Sequence, residues 1–135
     1  MIALDTNILV RYAVKDDRAQ AARAVEFLKH NRCFILKTVL LECAWVLSSS
    51  AGYNLPRKVV HERLLHILGL SNIEVEDPTT VAQALAWYAT GMDFANALHL
   101  SGSAELAGLA TFDRKFAAAA KKLDTVPPVL LLKAR

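Results

Sequence analysis

The sequence predicts an α/β fold with a mainly parallel sheet. Three features lead there. Short apolar runs at residues 2–4, 33–36, 73–75, 109–112 and 129–132 have strand character. Longer segments of helical periodicity lie between them, and strands that alternate with helices pair in parallel through crossovers. The 135 residues are 54% hydrophobic and 21% charged, enough for one folded domain over 1–135 and too apolar for disorder.

Each element has a local reason. Residues 2–4 form the first strand, and 6–14 read as a helix. Asp16 and Asp17 suit the cap of a second helix through Lys29, with Ala21, Ala22, Val25 and Leu28 on its inner face. After the strand at 33–36, Thr38 opens a strongly apolar helix to about Ser49. Residues 48–54, with Gly52, form a break, and Pro56 suits the first turn of a helix to Leu68. A strand at 73–75 follows. Thr79 or Thr80 caps the next helix, which runs to about Thr90 and ends at Gly91. A helix over 93–106, a strand at 109–112, an alanine-rich helix at 114–122 and a strand at 129–132 complete the alternation.

Several function classes are excluded early. Glu42 interrupts the apolar stretch 39–47, and Glu62 with Arg63 interrupts 59–70. A membrane span needs about 20 apolar residues, so no membrane partner is expected. Residues 1–11 carry Asp5 within their apolar stretch and lack the basic lead of a secretion signal. Cys33 and Cys43 have neither metal spacing nor a disulfide framework, and read as reduced, buried thiols of a cytoplasmic protein. The net charge of +3 permits a polyanionic partner without requiring one.

Four acidic positions stand apart from Asp16, Asp17, Glu26, Glu62 and Asp124, which read as solvated or capping groups. Asp5 and Asp113 each follow a predicted strand. Ligands of open α/β sheets bind beyond the carboxyl ends of strands, so the two could serve one site; equally, each could cap the helix that follows. Glu42 sits in Thr38-Val39-Leu40-Leu41-Glu42-Cys43-Ala44-Trp45-Val46-Leu47, with no polar face, and is expected to be at least partly buried. Such a carboxylate needs a metal, a raised pKa or a cation such as Arg11. Asp93 and Asn96 share a helix face at i and i+3, although Asp93 alone would serve as a cap. Clustered carboxylates repel unless a divalent cation sits among them. Oxygen donors without His or Cys select a hard ion, Mg²⁺ or Mn²⁺, suited to phosphodiester hydrolysis.

These residues resemble the PIN-domain ribonucleases, specifically the VapC-type toxins of bacterial toxin–antitoxin pairs. The resemblance spans nearly the whole chain. It rests on Leu4-Asp5-Thr6-Asn7-Ile8-Leu9, on Glu42 in its apolar helix, on Asp93-Phe94-Ala95-Asn96-Ala97-Leu98-His99-Leu100, and on Thr111-Phe112-Asp113-Arg114-Lys115-Phe116. It implies a PIN-like three-layer α/β/α sandwich, a homodimer, and Mg²⁺- or Mn²⁺-dependent cleavage of structured RNA such as tRNA or rRNA. It also implies inhibition by a cognate VapB-type antitoxin, whose tail would fill the cleft and place an Arg against the acidic cluster. Carried over, Asp5, Glu42, Asn96 and Asp113 are metal-ligand positions. Asp93 joins them in the catalytic set, and Thr6, Asn7 and Thr111 support it.

Asn96 departs from the family pattern, which usually has Asp there. The exchange is isosteric, removes a charge and leaves an amide that ligates weakly. It can reflect a natural variant that relies on Asp93, a naturally weakened nuclease, or a deliberate Asp→Asn change. The intact motif around it favours the last, and so an inactivated form. The competing class is a non-catalytic RNA- or antitoxin-binding PIN protein. A PIN nuclease of RNA processing fits less well, because those chains commonly carry extra domains.

Arg11, Lys15, Arg114 and Lys115 lie nearest the acidic motifs and are the candidate RNA-phosphate contacts. Lys121, Lys122, Lys133 and Arg135 read as solvated charges. His99, one turn past Asn96, reads as a packing or ligand-orienting residue. Val59, Val60, Leu64, Leu65 and Leu68 exceed what one core-facing stripe needs, which offers a surface for a twin subunit or an antitoxin. Trp45 is expected in the core.

Overall fold

Helices, singly or in pairs, connect the strands over residues 1–134, the span described by a computed structural model; Arg135, read above as a solvated cation, lies outside the described residues. Two compact units divide the chain, Met1–Pro78 and Thr79–Arg135.

The first unit runs β1 (Ile2–Ala3), α1 (Thr6–Val14), α2 (Arg18–His30), β2 (Cys33–Ile35), α3 (Lys37–Ser48), α4 (Arg57–Leu68) and β3 (Ile73–Val75). Its three strands pair in parallel in the order β1-β2-β3, with Ile2 beside Cys33 and Ile35 beside Val75. Leu9, Ile35, Leu40, Leu47, Val60, Leu64 and Ile67 are fully buried and form the core. Each helix buries one stripe at three- and four-residue spacing, such as Leu40, Cys43, Ala44 and Leu47 in α3. In α2 the stripe is Ala21, Ala24 and Leu28. Ala22, expected inside, is exposed, and Val25 is half-buried. Asp17 is the residue that caps α2, accepting from the Gln20 amide at 3.0 Å.

After α3 the chain folds back on the helix end. The Tyr53 amide donates to the Val46 carbonyl at 3.0 Å, and Leu55 to Leu47 at 2.9 Å. Gly52 is required there, because a Cβ would stand 2.0 Å from the Val46 oxygen. Pro56 then occupies the cap position of α4.

The second unit contains α5 (Pro78–Ala89), α6 (Phe94–Gly102), β4 (Leu109–Thr111), α7 (Arg114–Leu123) and β5 (Val129–Leu131), with β4 and β5 parallel. Pro78, rather than a threonine cap, opens α5; Thr79 and Thr80 lie inside the helix. Gly91 follows its end with φ of 117°, a conformation that suits glycine. The Ser101 hydroxyl donates to the Thr80 carbonyl at 2.7 Å, and Tyr88 meets Phe94 edge-to-face at 5.5 Å. Helix α6 stops at Gly102, not at Leu106. There the Ser103 hydroxyl takes the His99 carbonyl at 2.8 Å.

All strand pairing is parallel, as the α/β class requires. Among the described residues, no helix is long and apolar enough to cross a membrane.

Candidate active site

In the first unit the site grows from the turn between β1 and α1. The Leu4 amide is tied to the Phe34 carbonyl at 3.1 Å, and this places Asp5 immediately beyond the sheet. Asp5 is the cap of α1: its Oδ1 accepts from the Thr6 amide at 2.8 Å. Thr6 itself is buried, and its hydroxyl donates to Glu42 Oε1 on α3. One residue therefore engages both carboxylates, leaving Asp5 Oδ2 and Glu42 Oε2 without partners among the described residues. Asp5, Thr6, Asn7, Arg11, Glu42 and Tyr53 line a shared cavity of about 370 Å³.

Glu42 is exposed, contrary to its apolar sequence context. The core stripe of α3 faces inward, and at 100° per residue Glu42 sits about 150° around the helix from its centre. Trp45 shares that outer side and is 60% exposed, so it is not a core residue. Glu42 also makes no ion pair with Arg11, whose carboxylate partner is Asp16 at 3.1 Å. Behind Glu42, burial pushes the Cys43 thiol up to about 12, and the Glu42 charge adds to the effect. Both cysteines are fully buried, as expected.

The donor set fits a hard divalent ion. Two carboxylates face one cavity, neither is neutralised by an ion pair among the described residues, and each offers an oxygen. Neither unit by itself gathers three His, Cys, Asp or Glu side chains into a metal-binding group among the described residues.

Arg11 borders this cavity in a closed network. Its Nε donates to Gln20 Oε1 at 2.6 Å, and its Nη1 donates to Asp16 Oδ1 at 3.1 Å and to the Tyr53 hydroxyl at 3.0 Å. The Tyr53 hydroxyl in turn donates to Asp16 Oδ2 at 2.9 Å. That bond, helped by the Arg11 charge, holds the Asp16 carboxyl below its ordinary value. Sequence reasoning overlooked Tyr53 and took Asp16 for a solvated or capping group. The available signal was a large aromatic residue in a Gly-containing break. Lys15 is the left-handed C-cap of α1, and its ammonium lies 5.1 Å from the centre of the Tyr12 ring.

In the second unit the acidic positions are also helix caps. Asp93 Oδ2 accepts from the Asn96 amide at 3.0 Å, and Asp113 Oδ1 from the Phe116 amide at 3.0 Å. A cap engages one oxygen and leaves the other for a second task. Thr111 orients this turn, its hydroxyl accepting from the Asp113 amide at 3.0 Å. Asn96 is half-buried, and its side-chain amide has no hydrogen-bond partner among the described residues. Arg114 and Lys115 are exposed in the first turn of α7. His99 is exposed as well, which removes it from a packing role.

A search of curated proteins produced no match. A model of the PIN domain family matches residues 2–122, so the chain belongs to that family, whose members are generally metal-dependent nucleases.

Proposed function

We propose that this chain is a VapC-type toxin: a Mg²⁺- or Mn²⁺-dependent endoribonuclease that cuts structured RNA and is restrained by a VapB-type antitoxin. The observation that carries the reading is the Asp5–Thr6–Glu42 cluster, two carboxylates held by one buried threonine beside an arginine. Asp5 and Glu42 would hold the cation through their unengaged oxygens. When bound, the ion polarises the phosphate, lowers the pKa of the attacking water and stabilises the leaving oxygen. Thr6 fixes both carboxylates, so little reorganisation accompanies binding. Arg11, Lys15, Arg114 and Lys115 supply cationic contacts to the RNA backbone.

Roles for Asp93, Asn96 and Asp113 in the same chemistry rest on the resemblance. Asn96 in place of a carboxylate lowers the negative charge available to a cation, which makes this chain a weakened nuclease. The exposure of Trp45 (60%) and Leu65 (48%) supports a surface for a twin subunit or an antitoxin. The second reading, a non-catalytic PIN protein that binds RNA or antitoxin, is favoured by Asn96 itself.

Induced expression in a bacterial host separates the two readings. N96D should arrest growth and leave cleaved RNA, while N96D combined with D5N should do neither. If N96D cells grow normally with intact RNA, the toxin reading fails and the binding reading stands.

A further inference from the structure

The guanidinium of Arg11 has five N–H groups, and the structure uses three. Gln20 takes Nε–H, while Asp16 and Tyr53 take the two hydrogens of Nη1. Nη2, with its two hydrogens, has no partner among the described residues. The side chain keeps 31% of its surface exposed. Arg11 also lines two cavities at once. One holds Asp5 and Glu42, and the other, of about 830 Å³, lies along α1 and α2 and includes Arg23 and His30. Asn7 is the other residue common to both.

A planar guanidinium held at both Nε and Nη1 cannot swing. Its free nitrogen, Nη2, keeps a fixed direction and offers two diverging N–H donors to phosphate oxygens. Without Tyr53, Gln20 and Asp16 would still hold the group, but one Nη1 hydrogen would be unengaged and the Asp16 carboxylate freer to turn. The Tyr53 hydroxyl closes the triangle, accepting from Arg11 and donating to Asp16. Tyr53 is itself held in place, because its amide is tied to Val46 across the Gly52 turn.

We propose that Arg11 is a preset clamp for an RNA phosphate at the junction of the two cavities, and that Tyr53 is a positioning residue acting through it. The clamp rests on the nuclease reading and adds to it the residue that orients the strand.

The test measures binding of a fluorescein-labelled single-stranded RNA oligonucleotide of mixed sequence to the full chain by anisotropy, with RNA integrity checked on a gel. R11M should weaken binding about tenfold and reduce the slope of log affinity against log salt by about 0.7, one phosphate contact. Y53F keeps the ring and removes only the hydroxyl, and should weaken binding about fivefold while lowering the melting temperature by no more than about 3–5 °C. The double variant R11M/Y53F should bind no worse than R11M, since Tyr53 then has nothing to position. R11K should stay weakened, because an ammonium has three donors and cannot satisfy Gln20, Asp16 and Tyr53 while still presenting a fixed donor to phosphate. Parent-like binding by Y53F overturns the proposal, as does an equal loss from Y53F in the R11M background. If the parent binds no RNA and N96D cuts none, the nuclease reading fails and the clamp fails with it. If the parent binds and Y53F binds equally, only the clamp fails.

Discussion

Replacing Thr6 with valine isolates the hydroxyl that joins the two carboxylates. Thr6 is 7% exposed, and valine preserves its side-chain shape. A hydroxyl bonded to a charged acceptor contributes about 1.5–3 kcal/mol when sheltered. Here the acceptor, Glu42, is solvent-exposed, so water replaces much of that bond and about 1 kcal/mol remains. The added methyl suits a buried position, so T6V should lower the melting temperature by no more than about 3–5 °C. Cation binding changes more specifically. Without the Thr6 donor, the ion itself has to order the Glu42 side chain. That costs about 1 kcal/mol, or about fivefold in Mn²⁺ affinity. Thermal unfolding by circular dichroism and Mn²⁺ titration by calorimetry read the two quantities separately. T6S retains the donor and should bind Mn²⁺ within about twofold of the parent. Parent-like affinity in T6V, or equal losses in T6S and T6V, would refute the assigned role of the hydroxyl.

Other predictions follow from the same geometry. D113N keeps a good helix cap and should retain stability, whereas D113A should cost about 1 kcal/mol in urea unfolding; in the N96D background both should abolish RNA cleavage if Asp113 serves the chemistry. Burial pushes the Cys43 thiol up to about 12 in the folded chain, above the ordinary thiol range. The unfolded chain therefore loses this proton first, and stability should fall as pH rises from about 9 to 12. C43A should reduce that slope, leaving the part from Cys33, whose thiol burial also pushes up, and iodoacetamide at neutral pH should leave the native thiols unmodified. G52A drives a Cβ into the Val46 carbonyl and should cost roughly 2 kcal/mol, with Arg11-dependent RNA binding lost alongside because Tyr53 moves.

Much of the fold was legible because its determinants are local. The helix at Thr6–Val14 and the strand at Ile73–Val75 have the expected bounds, since caps, breaks and periodicity act over a few residues. The aspartates at strand ends, Asp5 and Asp113, were legible for the same reason, and both cap helices, as does Asp93 after the Gly91 turn. Glu42 and Trp45 were misread because apolar content identifies a buried helix without saying which face turns inward. The spacing of Leu40, Cys43, Ala44 and Leu47 contained that information. The Arg11–Tyr53 bond was beyond reach from sequence, because it joins residues 42 positions apart and depends on how the Gly52 turn folds back. Helix α6 fell short of its expected end because the Ser103 side chain competes for a backbone carbonyl.

The central claim is that Asp5 and Glu42 form a cation-dependent centre for cutting RNA, weakened in this chain by Asn96. Single-turnover cleavage of a structured RNA by purified N96D, in Mg²⁺, in Mn²⁺ and in EDTA, tests it most directly. The account predicts cleavage by N96D in either ion, none in EDTA, a much slower reaction in the parent, and none when D5N or E42Q is added to N96D. Equal rates in the parent and N96D, or cleavage that survives EDTA or the loss of Asp5, would contradict it.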